Sequence, residues 1–231
     1  MIMKSIFHSV LDVLFPKICA GCQAVISNNE ALLCSYCRFE LPCTNFLNQP
    51  NNEAYKKFYG IVEVSKVASL LYFEKEGITQ HILHQLKYKN QPQLGILLAN
   101  MFENEIKGSQ FFDSDCCLVP VPLHPKRFKE RGYNQIQLFT DTLAKNHDLV
   151  VDNFSLIRTV YKKTQTTKNL EQRTTHNKSV FALSGTTPLR NKIVLVDDVL
   201  TTGSTLIQCI KTLQQLPGLE IRVLTIAYAH H

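Results

Sequence analysis

The stretch from Lys192 to Leu206, KIVLVDDVLTTGSTL, constrains the fold more than any other part of the chain. It opens with four aliphatic residues, Ile193 to Val196, which predict a short buried strand. Two carboxylates, Asp197 and Asp198, follow at the point where such a strand would leave the core. After seven further residues, apolar side chains recur at helical spacing from Leu206 up to residue 216. The stretch therefore predicts a strand, a polar loop and a helix in immediate succession.

The loop between this strand and this helix has the chemistry of a phosphate site. A glycine allows close backbone approach, neighbouring N–H groups can converge on one oxyanion, and the helix N-terminus adds positive potential. The loop residues are Thr201, Thr202, Gly203, Ser204 and Thr205. With two carboxylates beside it, the site suits a ligand that carries an anionic end and a diol, such as a ribose phosphate, or a metal ion. The residues alone leave a second interpretation open, in which the Asp, Ser and Thr side chains cap a turn and a helix.

Composition places the chain among globular proteins. Its 231 residues are 45% hydrophobic and 19% charged, which is enough to bury a core and is unlike a disordered chain. No apolar run approaches the ~18 residues of a membrane span. The apolar segment from Ile6 to Phe15 is interrupted by His8 and Asp12, and we interpret it as an amphipathic helix rather than a signal peptide. We expect a cytoplasmic protein.

The net charge of +6 is concentrated in two segments. Residues 122–133 carry +3 and residues 158–178 carry +5, which leaves −2 for the remainder of the chain. Concentrated positive charge suits a polyphosphate or a nucleic acid, although a solvated basic loop would show the same pattern.

Two CxxC pairs near the N-terminus predict a metal site. Cys19 and Cys22 are separated by eleven residues from Cys34 and Cys37. Each pair can present two thiolates to one ion, and two pairs complete a tetrahedral site of the zinc-ribbon type. Disulfides are the alternative, but no signal peptide is expected and Cys43 would be left over. We predict structural zinc with closed coordination and no catalytic role.

An Asn-rich stretch from Leu47 to Lys57 predicts the domain boundary. We expect an N-terminal helix and zinc ribbon over residues 1–50 and a second domain over residues 51–231. In the second domain, residues 117–121 predict a strand, but Pro120 and Pro122 argue against an interior strand beyond Val119 and predict a stiff, extended loop.

The loop after that strand carries Lys126, Arg127 and Arg131 just before a predicted helix, and these residues could clamp a pyrophosphate. Exposed basic residues on a helical turn are the alternative interpretation. Residues 158–178 predict a loop that closes over the ligand, with Gln165 and Arg173 as its most interesting members.

These segments together resemble the ComF family, also described as GntX-like, over nearly the whole chain. VLVDDVLTTGST at residues 194–205 resembles the phosphoribosyl pyrophosphate signature of type I phosphoribosyltransferases. VPVPLHPKR at residues 119–127 and RGYNQ at residues 131–135 are more diagnostic of the ComF family. The four cysteines, Gln165 and Arg173 also match.

The resemblance implies a parallel α/β sheet of the type I phosphoribosyltransferase kind, flanked by helices, with a small four-cysteine zinc ribbon at the N-terminus. By the same resemblance, Asp197 and Asp198 would hold the ribose hydroxyls and residues 201–205 the 5′-phosphate. Lys126, Arg127 and Arg131 would hold the pyrophosphate with Mg²⁺, and Gln165 or Arg173 would come from the covering loop.

Three functions stay open on this basis. The family is linked to DNA uptake in natural transformation, so the first is a protein that binds phosphoribosyl pyrophosphate and single-stranded DNA, together with other competence or DNA-processing proteins. The second is an active phosphoribosyltransferase of nucleotide metabolism, a pentosyl-transferring enzyme. The third is a sensor that binds phosphoribosyl pyrophosphate without turnover. We choose the first.

Overall fold

The computed structural model describes residues 16–27, 29–159, 180–186 and 188–230. The predicted amphipathic helix at residues 6–15, and Gln165 and Arg173 of the predicted covering loop, lie outside the described residues. Within the described ranges, no helix combines the length and the apolar character that crossing a membrane requires.

A five-stranded parallel sheet forms the centre of the chain. Its strands in chain order are β1 (Lys66–Tyr72), β2 (Cys116–Pro120), β3 (Val150–Val151), β6 (Lys192–Leu200) and β7 (Glu220–Tyr228). Their order across the sheet is β1-β7-β6-β2-β3, and every neighbouring pair is parallel. Two short strands, β4 (Leu156–Arg158) and β5 (Phe181–Leu183), pair antiparallel outside this sheet.

Two short helices, α1 (Ser35–Phe39) and α2 (Glu53–Lys56), and one 3₁₀ turn at Phe46–Asn48 precede β1. Parallel pairing requires crossover connections, and these contain the helices α3 (Ile78–Tyr88), α4 (Gln93–Met101), α5 (Glu103–Gly108), α6 (Pro125–Arg131), α7 (Gln137–Asn146) and α8 (Ser204–Leu213). Strands β2 and β7 are buried along almost their whole length, which indicates that both faces of the sheet are covered. The predicted parallel sheet flanked by helices is confirmed.

The structure differs from the sequence interpretation in two elements. Strand β6 runs through Leu200, so Asp197 and Asp198 lie within the strand and not after it. The basic segment that was predicted as an extended loop is helix α6.

Strand β2 also continues to Pro120, one residue further than its prolines suggest. The Leu118 carbonyl accepts the Asp152 N–H on the β3 side, while the Val121 N–H donates to Val196 on the β6 side. Pro120, two residues after Leu118, therefore faces the β3 side, where β3 pairing has already ended. Proline has no backbone N–H to donate, but no strand of the described residues is present on that side to accept one, so the sheet loses no hydrogen bond.

Candidate functional site

The carboxyl edge of the sheet brings the predicted binding residues together. Strands β1, β2 and β6 are parallel, so the elements that follow them, α3, α6 and the loop before α8, all start at this edge. In open α/β sheets this edge is where ligands bind. Lys126, Arg127, Arg131, the two aspartates and the Thr/Ser loop thus belong to one region of the molecule.

Asp198 is buried, and each of its two carboxylate oxygens has a protein partner. Its Oδ1 lies 3.1 Å from the Lys87 Nζ, and its Oδ2 accepts a hydrogen bond from the Gln135 Nε2 at 2.7 Å. Only 7% of the Asp198 side chain is exposed, against 21% for Lys87. The carboxylate therefore ties β6 to the end of α3 and to the turn after α6.

The turn that supplies Gln135 is itself held in place by side chains. The Arg131 Nη1 donates to the Gln135 Oε1 at 2.6 Å, and the Arg131 guanidinium lies 5.0 Å from the centre of the Tyr88 ring. The Tyr133 hydroxyl donates to the Leu86 carbonyl, and the Asn134 Nδ2 donates to the Val121 carbonyl. The RGYNQ residues thus fix the second partner of Asp198.

Asp197 differs from its neighbour because successive side chains of a strand point to opposite faces of the sheet. Its Oδ1 accepts only the backbone N–H of Asp198, at 2.8 Å, among the hydrogen bonds of the described residues. Burial and the charge of Asp198 raise the pKa of Asp197 to about 7, against the opposing influence of Lys87 and Arg158. Asp197 is therefore the carboxylate that remains available to a ligand.

The Thr/Ser loop has the backbone geometry of an anion cradle. Gly203 adopts φ +77°, the left-handed conformation that favours glycine, and α8 begins at the next residue. The side chains of Thr201, Thr202 and Ser204 are exposed, and the Ser204 N–H donates weakly to the Thr202 hydroxyl at 3.4 Å. The donors of this loop and the first turn of α8 therefore face an accessible surface.

The three predicted pyrophosphate residues lie on α6 and not on a loop. The His124 side chain accepts the Lys126 N–H at the start of the helix, Pro125 occupies the first helical position, and Gly132 ends it at φ +79°. Lys126 is exposed and Arg127 is half-buried, whereas Arg131 is held by Gln135 and Tyr88. Arg131 thus has a positioning contact in addition to any ligand contact.

Sequence interpretation assigned no individual binding role to three residues of this region: Lys87, Gln135 and Arg158. Lys87 lies four residues after the buried Leu83 and so on the inner face of α3. Arg158 lies two residues after the buried Leu156, on the same face of β4. The spacing from a buried residue could therefore have identified both Lys87 and Arg158 as lying on an inward face of their element.

The four predicted zinc ligands form one cluster. The Sγ atoms of Cys19, Cys22, Cys34 and Cys37 all lie within 4.8 Å of one another, and those of Cys22 and Cys34 are 3.8 Å apart. A tetrahedral site with Zn–S bonds of about 2.3 Å needs S···S distances of about 3.8 Å, so the cluster fits zinc. Cys43 is exposed and is not a member.

Backbone N–H groups surround these sulfurs as they would surround thiolates. Gly21 and Cys34 donate to the Cys19 Sγ at 3.4 and 3.3 Å, and Cys37 donates to the Cys34 Sγ at 3.4 Å. Burial by itself would raise the pKa of Cys19, but the backbone donors lower it to about 7. Burial raises the pKa of Cys37. The positive charge of a bound cation would lower this pKa again.

Comparison with known proteins gives relatives over most of the chain, although no family model matches it. The chain is 29% identical to Competence protein F of Haemophilus influenzae, over 92% of this chain and 90% of that protein. It is 27% identical to DNA utilization protein YhgH of Escherichia coli K12, over 89% and 88%. Competence protein ComFC of Streptococcus pneumoniae is 26% identical, over 56% and 54%.

Among solved structures, orotate phosphoribosyltransferase from Aeropyrum pernix matches 75% of this chain and 90% of that chain. The TM-score is 0.33 at 14% identity, which is too low to support a conclusion. The curated relatives, two of them matched over about nine tenths of their length, bear out the motif resemblance and support a ComF-like family for this chain.

Proposed function

We propose that this chain binds phosphoribosyl pyrophosphate, or a related ribose phosphate, with Mg²⁺, and that it also binds single-stranded DNA during DNA uptake or processing in natural transformation. One observation carries the proposal. An available carboxylate, an exposed Thr/Ser loop at a helix N-terminus and a basic helix lie together at the carboxyl edge of a parallel sheet. These groups match the diol, the 5′-phosphate and the pyrophosphate of such a ligand.

The two aspartates take different roles in this proposal. Asp197 binds the ribose hydroxyls, because it is the carboxylate with accepting capacity to spare. Asp198 positions the strand end, because Lys87 and Gln135 already occupy both of its oxygens. Residues 201–205 bind the 5′-phosphate, and Lys126 and Arg127, aided by Mg²⁺, bind the pyrophosphate.

Titration calorimetry with phosphoribosyl pyrophosphate and Mg²⁺ tests the pocket. The change Asp197→Asn should weaken binding about 10- to 100-fold, because it removes a charged acceptor of hydrogen bonds. Asp141→Asn, at an exposed aspartate of α7, is the matched control and should bind like the wild type. Wild-type affinity in Asp197→Asn would refute the pocket assignment.

Single-stranded DNA is proposed as the second ligand for two reasons. The relatives are named for competence and DNA utilization. Beside the pocket, α6 carries four basic residues and Phe128, whose side chain is 50% exposed, and Tyr88 is 64% exposed. Exposed aromatic rings next to basic side chains are typical of surfaces on which single-stranded bases stack.

Fluorescence anisotropy with labelled single-stranded DNA tests this surface at several salt concentrations. We expect binding that weakens with salt, and we expect Phe128→Ala to reduce affinity about 10-fold, since one stacked base contributes about 1–3 kcal/mol. Tyr59→Ala, at an exposed ring beside the amino ends of β1 and β7, is the control. Equal losses in both variants would argue against a site on α6.

An active phosphoribosyltransferase is the second candidate function, favoured by the presence of groups for both the ribose and the leaving pyrophosphate. Release of pyrophosphate from phosphoribosyl pyrophosphate in the presence of amine or nucleobase acceptors would support it. Tight binding without release would favour the sensor.

We also propose that the four cysteines bind one structural zinc ion. Metal analysis should find one zinc per chain, and this zinc should be lost in Cys22→Ser and retained in Cys43→Ser.

A further inference from the structure

Arg158 lies beside the pocket on an element that no predicted binding residue occupies. It is the last residue of β4, and its guanidinium lies 5.3 Å from the centre of the Phe181 ring on β5. Strand β5 packs against α8, the helix that follows the Thr/Ser loop. The antiparallel pair therefore holds Arg158 on the same side of the sheet as α8.

The charges around Arg158 locate it between the acidic strand and the basic helix. Burial lowers the pKa of the Arg158 guanidinium and the charge of Arg127 on α6 lowers it further, whereas the carboxylate of Asp197 raises it. No ion pair of Arg158 occurs within 4.0 Å among the residues that the structure describes. Arg127 therefore disfavours the charge of Arg158, and no carboxylate of the described residues forms an ion pair that would offset this repulsion.

Arg158 also has a donor that the described residues leave unused. Its Nε is buried, and no acceptor within the described ranges hydrogen bonds to it. A buried donor without an acceptor costs free energy, and the cost is larger when the group is charged. A buried polar atom of this kind needs an acceptor from elsewhere, and an oxyanion supplies several.

We propose that Arg158 is an anion-binding residue of the pocket and that it and Arg127 contact the same phosphate or pyrophosphate group from two sides. This inference rests on the proposed function and adds a residue from outside the basic helix. The planar guanidinium is preorganised by the Phe181 ring, so its fork can meet two oxygens of one phosphate. Binding relieves the repulsion between the two arginines and satisfies the buried Nε.

Calorimetric titration of the full chain with inorganic pyrophosphate and Mg²⁺ tests this inference. We expect Arg158→Gln to weaken pyrophosphate binding about 10-fold or more. Arg158→Lys should fall between Arg158→Gln and the wild type, because it keeps the charge but loses the fork. Arg190→Gln, at an exposed arginine just before the amino end of β6, should leave the affinity unchanged.

Thermal melting without ligand separates binding from a purely structural role. Because the change removes an unsatisfied buried donor, the Tm of Arg158→Gln without ligand should equal or exceed that of the wild type. Added pyrophosphate should raise the Tm of the variant by less than it raises the Tm of the wild type. A lower Tm in both Arg158 variants together with unchanged pyrophosphate affinity would overturn the inference.

Failure of this inference can be told apart from failure of the proposed function. If the wild type binds phosphoribosyl pyrophosphate and pyrophosphate, and Arg158→Gln binds both equally well, then only the role of Arg158 is wrong. If the wild type binds neither ligand, both proposals are wrong.

Discussion

At the scale of single residues, the contrast between Asp197 and Asp198 gives a prediction about pH. The pKa of Asp197 in the folded chain is raised from 3.8 to about 7. Between these values the folded chain binds a proton that the unfolded chain releases, so the contribution of Asp197 to stability falls as pH rises from about 4 to 7. Asp197→Asn carries no such cost, and it retains an oxygen for the Asp198 N–H.

We therefore expect Asp197→Asn to raise the Tm relative to the wild type, and to raise it more at pH 8 than at pH 5. Each kcal/mol of relief corresponds to about 2–4 °C for a chain of this size. Scanning calorimetry of both proteins at the two pH values measures the difference. A Tm gain that is the same at both pH values would show that Asp197 is ionised throughout.

Lys87 gives the opposite prediction, because it compensates a buried charge. Lys87→Met should leave Asp198 without its cation and should lower the free energy of unfolding by about 3 kcal/mol. Lys89→Met, at an exposed lysine two residues later, should change it by less than about 0.5 kcal/mol. Urea unfolding of the two variants measures the difference. Equal stabilities would show that Lys87 does not compensate the charge of Asp198.

At the scale of elements, the contact between α4 and α7 depends on one glycine. A Cβ added at Gly95 would lie 2.8 Å from the backbone nitrogen of Phe139 on α7, so the helices would have to separate. Overpacking costs about 1–3 kcal/mol, which exceeds the roughly 1 kcal/mol that alanine gains over glycine inside a helix.

We expect Gly95→Ala to destabilise the chain by about 1 kcal/mol in chemical unfolding. Gly108→Ala, where no atom lies within 4 Å of the added Cβ, should be neutral or stabilising. If the two changes have the same effect, the helices tolerate a wider separation than their packing indicates.

The elements also show what the sequence could and could not predict. Helix α3 and the acidic strand were predictable from apolar periodicity, since their buried side chains repeat at helical or strand spacing. Helix α6 was not, because Pro120 and Pro122, which precede it, suggested an extended loop. Pro125 is tolerated there because it occupies the first helical position, where the N–H would have no partner within the helix. The pairing of Lys87 with Asp198 was not predictable, because it joins residues 111 positions apart through the fold.

At the scale of the whole molecule, the cysteine cluster is in direct contact with helix α3, and the segment that follows the cluster is in contact with the sheet. The Gly21 carbonyl lies 2.6 Å from the His81 Nδ1 on α3. Further along, Cys43 pairs with Leu71 in an isolated bridge, and the Asn52 Nδ2 donates to the Val67 carbonyl of β1. The segment from Cys43 to Asn52 is therefore held by β1, while residues 19–37 depend on the cluster. The division of the chain at residues 50 and 51 stays a prediction.

Treatment with a chelator tests how far the proposed zinc ion supports the fold. We expect it to increase hydrogen exchange at residues 19–37, because the proposed ion would hold their thiolates together, and to leave β6 and β7 protected. Residues 43–52 should stay largely protected because β1 supplies their hydrogen bonds. Mass-resolved exchange with and without chelator measures this, and simultaneous loss of protection in β6 would show a single cooperative unit.

The position of β7 in the sheet has a consequence for the order in which the molecule can fold. Residues 220–228 lie between β1 and β6, so residues as distant as Lys66 and Arg222 pair directly. A nascent chain that has not yet reached this segment cannot join its first strand to the rest of the sheet. Contacts of such long sequence separation slow folding, since a large loop must close before they form. Strand β6, which carries Asp197 and Asp198, consequently gains its second neighbour only after residues 220–228 have emerged from the ribosome.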